Sequence, residues 1–308
     1  MDSMKLAGVT VPLVTPLNND ETVDYPSLRK LINYIINGNV HALFPMGTTG
    51  EFARLDPKDR YKIVEVTLSE TQNRVPVLVG ISDTGLNRVL ENLKVAEKLG
   101  ANAVAVSPPY YYPIYSDDEI IAFYSAVASR SSLPVILYNI PVTCGSNISL
   151  SALDTIVSQN PNVIGIKDSS GNLDYLLEII KKYRNQPEFR IFVGDEALSL
   201  QGLTAGAHGL VPSLANVFPK IFVSLYQAVQ KEDLQKAGKI ADQINEMNQI
   251  NLYSNSWMSA IAWRKAALSQ LSICNERATE PYIPVPEPTR KDISRLIEAY
   301  FQSYGANQ

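Results

Sequence analysis

The chain has few of the residues that disulfide frameworks and zinc sites require. Its 308 residues include only two cysteines, Cys144 and Cys274, and two histidines, His41 and His208. Two cysteines make no disulfide framework, and two histidines cannot by themselves supply a histidine-rich metal site. This scarcity argues against most classes of zinc enzyme. A Ser-His-Asp triad would have to use one of these two imidazoles.

Strong charge and long apolar runs are also missing. Lys and Arg total 27 and Asp and Glu total 31, so the formal net charge is −4. A nearly balanced, slightly acidic surface offers no field for binding a phosphate backbone, so we expect no nucleic-acid partner. No run approaches the roughly 20 apolar residues of a membrane span, and the amino terminus lacks the apolar core of a signal peptide. We therefore expect no membrane association and a cytoplasmic location.

Short apolar segments alternate with helical patterns along most of the chain. A strand that returns about every 30 residues through a helix is typical of parallel strands joined by crossovers. Eight such units close a barrel more readily than they build an open sheet, so we predict an α/β protein with a (β/α)8 TIM barrel. The expected strands are residues 9–11, 42–44, 75–79, 103–106, 135–138, 163–167, 191–193 and 209–211.

After the eighth expected strand the pattern becomes purely helical. The first helical segment, 219–230, completes the eighth unit, and further helices are expected at 234–247, 257–271 and 290–304. No low-complexity linker or block of charge marks a separate domain. We therefore predict a barrel over residues 1–230 and a C-terminal helical extension over residues 231–308 that packs on it.

Catalytic groups of such barrels project from the C-terminal ends of the strands, where Lys167 follows an apolar run. Strand alternation places Lys167 on the same face as Val163 and Gly165, at the barrel mouth. The side chain either reaches solvent from the strand end or is a buried amine. At the ordinary lysine pKa only roughly 1 molecule in 2,500 is neutral at pH 7. A desolvated site that lowers the pKa to about 7–8 would make Lys167 a candidate Schiff-base nucleophile.

Three other strand ends carry polar groups. The segment 47–51, Gly-Thr-Thr-Gly-Glu, could hold a carboxylate with backbone N–H groups and hydroxyls, or be an ordinary capped turn. It is not a Walker loop, because no Gly-Lys-Ser/Thr follows. Tyr138 ends the fifth strand and is either a proton-transfer group or a core aromatic. The tyrosines at 110–112 are typical of a subunit interface.

Together and in this order, these segments resemble the dihydrodipicolinate synthase and N-acetylneuraminate lyase family of pyruvate-dependent class I aldolases and lyases. The combined signature is Gly-Thr-Thr-Gly-Glu at 47–51, Tyr-Asn-Ile-Pro at 138–141 and Gly-Ile-Lys-Asp at 165–168. The resemblance extends over nearly the whole chain. It implies aldol cleavage or condensation of keto acid and aldehyde substrates through a covalent pyruvate imine, with no metal and no other cofactor.

The resemblance also implies a role for each matching residue. Lys167 would form the Schiff base with the keto carbon of pyruvate, and Tyr138 would shuttle protons. Thr48 and Thr49, in the turn that starts at Gly47, would hold the pyruvate carboxylate, with Thr48 also relaying protons to Tyr138.

Two further matches concern the rim of the site. Tyr111 falls on a tyrosine that reaches into the neighbouring subunit's site in members built as tight dimers within tetramers. We therefore expect a homo-oligomer, either a dimer or a tetramer of tight dimers. Val211 falls on the strand-eight residue whose backbone faces the keto acid.

Departures from the family patterns bear on the acceptor aldehyde. Dihydrodipicolinate synthases usually place an arginine five residues after the Tyr138 position, where this chain has Thr143. Neuraminate lyases use an Asp-Glu pair that maps to Glu196 and Ala197, although Asp195 and Glu196 form such a pair one residue earlier. A small or polar residue at the Thr143 position is common in members that cleave 2-keto-3-deoxy sugar acids. We therefore favour that substrate class over dihydrodipicolinate synthase, with neuraminate lyase third, and expect Thr143 and Glu196 to bind substrate.

The resemblance also bears on regulation. Lysine-inhibited synthases carry a histidine after the threonine motif and an Asn and a Glu after strand three. Here Pro57, Thr84 and Arg88 stand at those positions, so we do not expect feedback inhibition by lysine.

Two other hypotheses belong to different classes. A phosphate-sugar isomerase would need a glycine-rich phosphate site after strands seven and eight, where this chain has Gly194-Asp195 and Val211-Pro212. A catalytically silent keto-acid sensor would not need Lys167, Tyr138 and Thr48 together. Both hypotheses are therefore weaker than the aldolase.

Overall fold

The computed structural model describes residues 6–249 and 257–305. The parts of the predicted barrel and extension at residues 1–5, 250–256 and 306–308 lie outside the described residues. Eight strands alternate with helices, as the sequence pattern predicts. The strands are β1 Gly8–Pro12, β2 Ala42–Phe44, β3 Leu78–Gly80, β4 Ala103–Val106, β5 Val135–Asn139, β6 Val163–Asp168, β7 Arg190–Val193 and β8 Gly209–Leu210.

The strands form one parallel sheet that closes on itself. Their order is β2-β1-β8-β7-β6-β5-β4-β3, and every paired neighbour is parallel. Leu43 of β2 bridges to Val77 just before β3, and the Leu43 amide donates to the Pro76 carbonyl at 3.0 Å. The Gly80 amide donates to the Pro45 carbonyl, also at 3.0 Å. The predicted (β/α)8 TIM barrel is confirmed.

Proline explains why two strand bounds differ from the prediction. The strand expected at 75–79 begins three residues later, because Pro76 has no amide to donate and contributes only its carbonyl. The strand expected at 209–211 ends at Leu210, one residue early. Pro212 has no amide hydrogen with which to continue the strand pairing. The last hydrogen bond to β7 therefore comes from the Val211 amide, which donates to the Val193 carbonyl at 2.8 Å.

The helices lie outside the barrel, and residues at the ends of two of them show why those helices begin and end there. Asp24 accepts a hydrogen bond from the Ser27 amide at 3.0 Å at the start of the first helix, and Gly100 ends the third with a φ of +80°. The helices are α1 Tyr25–Asn37, α2 Pro57–Thr71, α3 Leu86–Leu99, α4 Asp117–Ala128, α5 Pro141–Cys144, α6 Leu150–Gln159, α7 Leu173–Tyr183, α8 Ser199–Ala205, α9 Pro219–Gln230, α10 Leu234–Gln249, α11 Trp257–Gln270 and α12 Glu287–Tyr304.

The helices after β8 share the core of the barrel. Phe218, just before α9, contacts Trp263 of α11 at 6.2 Å between ring centroids and Tyr300 of α12 at 4.9 Å. All three rings are buried. Burial of such large aromatic side chains fixes α11 and α12 against the barrel. Within the described ranges, no helix combines the length and the apolar character needed to cross a membrane.

Candidate active site

Lys167 lies near the C-terminal end of β6 and points into the barrel. Its side chain is buried, with the residue only 4% exposed. The amine lies 3.9 Å from the centroid of the Tyr138 ring and 5.0 Å from that of Phe44. Burial lowers the pKa of Lys167 to about 7, even though the nearby Glu196 carboxylate raises it. Because the side chain is buried, the amine does not reach bulk solvent from the strand end, and a substantial fraction of it is neutral near pH 7.

A glycine makes room for this lysine. A Cβ atom at position 194, just after β7, would lie 2.9 Å from Lys167 Cε and 2.0 Å from Ser169 Oγ. Both distances are shorter than ordinary Cβ contacts, so any larger residue here would force the Lys167 and Ser169 side chains to shift. Sequence reasoning considered Gly194 only as a possible part of a phosphate site. Its position directly after an apolar strand was the available signal.

Tyr138 is the direct partner of Lys167 on the neighbouring strand β5. Its hydroxyl lies 3.3 Å from Thr48 Oγ1. Burial raises the pKa of Tyr138 to about 12, and hydrogen bonds from Thr48 and Ser169 partly oppose that rise. The phenol therefore keeps its proton at neutral pH and lies between two hydroxyl groups. Of these, Ser169 was not among the predicted site residues.

The threonine turn, residues 47–51, supplies the third part of the site. Thr48 to Gly50 form a 3₁₀ turn, and Glu51 takes a left-handed conformation with φ +59°. Thr15 donates its hydroxyl to the Gly50 carbonyl at 2.7 Å. The amides of Thr48 and Thr49 lie at the amino end of this turn, where helical geometry provides no internal acceptor. The turn thus brings the backbone amides and the side-chain hydroxyls of Thr48 and Thr49 close together.

The C-terminal extension holds the threonine turn from behind. Glu51 Oε1 lies 2.6 Å from the amine of Lys265 on α11, and neither side chain is exposed to solvent. The other carboxylate oxygen accepts from the amide and hydroxyl of Thr279, at 2.7 and 2.6 Å. Lys265 also donates to the Arg277 carbonyl at 2.8 Å. Sequence reasoning missed this network, because Lys265 has no local feature that distinguishes it from a surface lysine.

Lys167, Tyr138 and the two threonines of the turn line one cavity of about 480 Å³ at the C-terminal end of the barrel. Six of the predicted site residues line it: Thr48, Thr49, Tyr138, Lys167, Glu196 and Val211. Polar residues that were not predicted also line it, namely Ser169, Ser170, Asp195, Ser213, Asn248 and Arg264. The cavity therefore combines a buried amine, a protonated phenol and a wall rich in hydroxyl, amide and charged groups.

Glu196 and Arg264 form an ion pair on the wall of this cavity. Arg264 Nη2 lies 3.3 Å from one Glu196 carboxylate oxygen and 3.4 Å from the other, and both side chains are largely buried. Glu196 Oε1 also accepts from the Leu214 amide at 2.7 Å, and Arg264 donates to the Ala260 carbonyl at 2.7 Å. Arg264 comes from α11, 68 residues beyond Glu196, so no local pattern links the two.

Three of the predicted residues do not line the cavity. Thr143 lies on the short helix α5 and lines a neighbouring cavity of about 130 Å³ with Phe52 and Met258. Gly47 is the first residue of the threonine turn, and a Cβ atom there would lie 3.2 Å from the Phe44 ring. Tyr111 is 79% exposed with φ +80°, and its ring contacts Tyr112 instead of the site of its own chain.

Both histidines accept hydrogen bonds from backbone amides of the barrel. His41 Nδ1 accepts from the Val9 amide at 3.0 Å, and His208 Nδ1 accepts from the Ile191 amide at 3.1 Å. Burial lowers the pKa of both imidazoles. Neither lines the cavity around Lys167, so a histidine-based triad has no place there. In the part of the chain that the structure describes, no group of three His, Cys, Asp or Glu side chains gathers as a metal site.

Comparison with known proteins gives one consistent family. The model of the dihydrodipicolinate synthetase family matches residues 5–300. A 4-hydroxy-tetrahydrodipicolinate synthase of Methanospirillum hungatei is 31% identical over 293 residues, 94% of this chain and 97% of the relative. An uncharacterised DapA-like lyase of Thermococcus onnurineus is also 31% identical, over 95% of this chain and 98% of the relative. The structure of dihydrodipicolinate synthase from Bacteroides thetaiotaomicron matches with a TM-score of 0.90 and 34% identity, covering 97% of this chain and 100% of that chain.

The fold is that of a TIM-barrel protein, and the family of its relatives makes it an enzyme, a carbon–carbon lyase of the aldolase type. The chain belongs to the dihydrodipicolinate synthetase family. The resemblance that the three motifs indicated is confirmed. The isomerase and sensor hypotheses find no support in this result.

Proposed function

We propose that the protein is a class I aldolase or lyase that binds pyruvate as an imine on Lys167. The observation that supports this proposal best is the buried Lys167 amine, whose pKa is about 7, in contact with the ring of Tyr138. A neutral amine at physiological pH is the form that attacks a carbonyl carbon. A surface lysine would be almost entirely protonated at the same pH.

The first half of the proposed reaction forms the imine. The neutral Lys167 amine adds to the keto carbon of pyruvate, and a proton moves from nitrogen to the former carbonyl oxygen. That hydroxyl then takes a second proton and leaves as water, which gives the protonated imine. The Tyr138 phenol holds a proton close to the amine and is hydrogen-bonded to Thr48, so Tyr138 donates the proton and Thr48 returns one to it.

The second half makes or breaks the carbon–carbon bond. The Tyr138 and Thr48 hydroxyl pair, which gave up one proton in the first half, takes a proton from the pyruvate methyl group and so produces an enamine. The enamine electrons attack the aldehyde carbon while the same pair returns the proton to the aldehyde oxygen, and cleavage is the reverse. The protonated imine accepts the electron pair, so the proposed reaction requires no metal. The amides and hydroxyls of Thr48 and Thr49 would hold the pyruvate carboxylate and fix the keto carbon beside Lys167.

We infer that the acceptor belongs to the polyhydroxylated aldehydes, which makes the substrate a 2-keto-3-deoxy sugar acid. The cavity wall carries the side chains of Ser169, Ser170, Ser213 and Asn248, which exchange neutral hydrogen bonds with hydroxyl groups. Thr143 cannot replace the bidentate contact that a guanidinium makes with a second carboxylate.

Dihydrodipicolinate synthase is the second candidate, because relatives over nearly the whole chain carry the name 4-hydroxy-tetrahydrodipicolinate synthase. Neuraminate lyase is third, since Asp195 and Glu196 both line the cavity but stand one residue before the positions to which the Asp-Glu pair of those enzymes maps. Side-by-side assays decide between them: retro-aldol cleavage of several 2-keto-3-deoxy acids and of N-acetylneuraminate, and condensation of pyruvate with aspartate semialdehyde. Fastest turnover of a 2-keto-3-deoxy acid supports the proposal, and fastest turnover of either other substrate contradicts the choice of acceptor.

We also propose that Tyr111 acts in the site of a partner subunit. Its exposed ring contacts the exposed ring of Tyr112, Tyr115 nearby in the chain is exposed as well, and exposed aromatic side chains are typical of an interface. Mixing the two variants Lys167→Ala and Tyr111→Phe under subunit exchange should restore activity, because one site of a mixed dimer would hold both native groups. No recovery despite verified exchange would contradict a role in trans.

A further inference from the structure

The cavity contains a charge pair to which the proposed reaction gives no task. Glu196 follows β7, and Arg264 reaches the same wall from α11. The guanidinium lies 3.3 and 3.4 Å from the two carboxylate oxygens, and the arginine side chain is only 4% exposed. A charged group so deeply buried costs stability unless it is compensated. The pair therefore needs an explanation in terms of the groups that share the cavity with it.

Charged and titratable groups reach the surroundings of Lys167 from four elements. Tyr138 comes from β5 and keeps its proton at neutral pH. Asp168 comes from β6 itself, but strand alternation turns it to the opposite face, where Asn139 and Ser170 each donate to it at 2.9 Å. The segment after β7 brings Asp195 and Glu196, and α11 brings Arg264.

Among these groups, Glu196 is the carboxylate that acts on Lys167. Asp195 Oδ1 accepts a hydrogen bond from the Ala197 amide at 3.0 Å. The charge of Glu196, in contrast, raises the pKa of Lys167 and so opposes the effect of burial. In a buried site a negative charge near an amine favours the ammonium form. An uncompensated Glu196 would therefore reduce the fraction of neutral amine.

We propose that Arg264 is a positioning residue that holds the Glu196 carboxylate on the cavity wall and reduces its field at Lys167. This inference rests on the proposed function, in which the neutral Lys167 amine is the nucleophile. The guanidinium lies 3.3 and 3.4 Å from the two Glu196 oxygens, so its effect on the amine passes through Glu196. With the pair intact, the carboxylate that shares the cavity with the amine is offset in part by a neighbouring positive charge.

The test follows the pH dependence of imine trapping in four full-length variants. Pyruvate and cyanoborohydride are added between about pH 5 and 9, and the covalent adduct is followed by intact mass. Arg264→Met should move the half-maximum of the trapping rate to higher pH by about one unit, which is a roughly tenfold slower reaction on the acidic side. Glu196→Gln should move it to lower pH, because the guanidinium then stands alone. Arg264→Lys and the double variant Glu196→Gln/Arg264→Met should both lie near the native profile.

The controls separate this inference from the proposed function. Arg295→Met removes the same charge from the exposed surface of α12 and should leave the profile unchanged. If the native protein traps pyruvate but Arg264→Met and Glu196→Gln both keep the native half-maximum, the role of Arg264 is refuted and the aldolase proposal stands. If the native protein forms no adduct at all, the aldolase proposal itself fails. Should Arg264→Met not fold, Glu196→Gln decides alone, since the amide keeps the hydrogen bond from Leu214.

Discussion

Tyr138 and Lys167 are register partners on adjacent parallel strands, and the lysine amine lies 3.9 Å from the centroid of the tyrosine ring. Burial acts on the two groups in opposite directions, because it disfavours whichever form carries charge. It lowers the pKa of Lys167 to about 7 and raises that of Tyr138 to about 12. One desolvated site therefore holds a neutral nucleophile beside a proton donor. That division of roles is the pattern expected of an acid and base at neutral pH.

Removing the Lys167 amine should stabilise the protein while it abolishes activity. Because the folded pKa lies below the unfolded one, the unfolded chain binds more protons between about pH 7 and 10, and the free energy of unfolding rises with pH there. At neutral pH and below, the buried amine costs stability on the order of 5 kcal/mol. Lys167→Met should therefore raise the free energy of unfolding at pH 6 to 7 and flatten its rise toward about pH 10. Urea titrations at several pH values measure this, and an unchanged pH dependence would contradict the depressed pKa.

Gly194→Ala should remove activity without unfolding the barrel. The added methyl group would overlap Lys167 Cε and Ser169 Oγ. Moving Lys167 displaces the nucleophile from Tyr138, and moving Ser169 disturbs a hydrogen bond to the Tyr138 hydroxyl. A displacement of about 1 Å can reduce turnover on the order of 100-fold. Gly238→Ala is the matched control, since nothing lies within 4 Å of its new Cβ and alanine favours helix α10. Circular dichroism and steady-state kinetics measure both variants, and full activity in Gly194→Ala would show that the close approach is unimportant.

Lys265→Met should destabilise the protein and weaken pyruvate binding. It leaves the Glu51 carboxylate buried without its cation, which typically costs about 3–5 kcal/mol. Because Glu51 closes the threonine turn, we expect KM for pyruvate to rise more than kcat falls. The double variant Glu51→Gln/Lys265→Met should recover part of the stability. Lys62→Met, which breaks an exposed pair with Glu65, is the control and should cost less than about 1 kcal/mol. Equal effects of the buried and exposed variants would contradict a role for Lys265 in holding the turn.

The sequence predicts the parts of this site that depend on local pattern. Alternation along a strand places Lys167 and Tyr138 on the inner face, and strand ends of a barrel converge, so their proximity follows from the fold. The contacts of Arg264 and Lys265 could not be predicted in this way. They depend on how α11 folds back across the barrel, and Arg264 lies 68 residues from its partner Glu196. The role of Tyr111 cannot be read from one chain for a different reason: the active site to which it would contribute belongs to a partner subunit.

Thr143→Arg should shift the acceptor preference toward aspartate semialdehyde. The native threonine lies beside the reaction cavity and offers only a neutral hydroxyl, which donates to the Ile140 carbonyl at 3.3 Å. A charge-assisted hydrogen bond to the semialdehyde carboxylate is typically worth about 1.5–3 kcal/mol, or roughly 10- to 150-fold in kcat/KM. Competition between glyceraldehyde and aspartate semialdehyde measures the shift, with Thr143→Gln as the uncharged control. If the native protein already prefers the semialdehyde, another cation must hold that carboxylate and the argument from Thr143 is wrong.

Peptide mapping of the borohydride-reduced pyruvate adduct tests the central claim most directly. Reduction converts the imine to a stable secondary amine, so one digest identifies the lysine that reacted. We expect a single adduct on Lys167 and none in Lys167→Ala, while the buried Lys265, held by Glu51, remains unmodified. An adduct on any other lysine, or no adduct while the native protein turns over pyruvate, would contradict it.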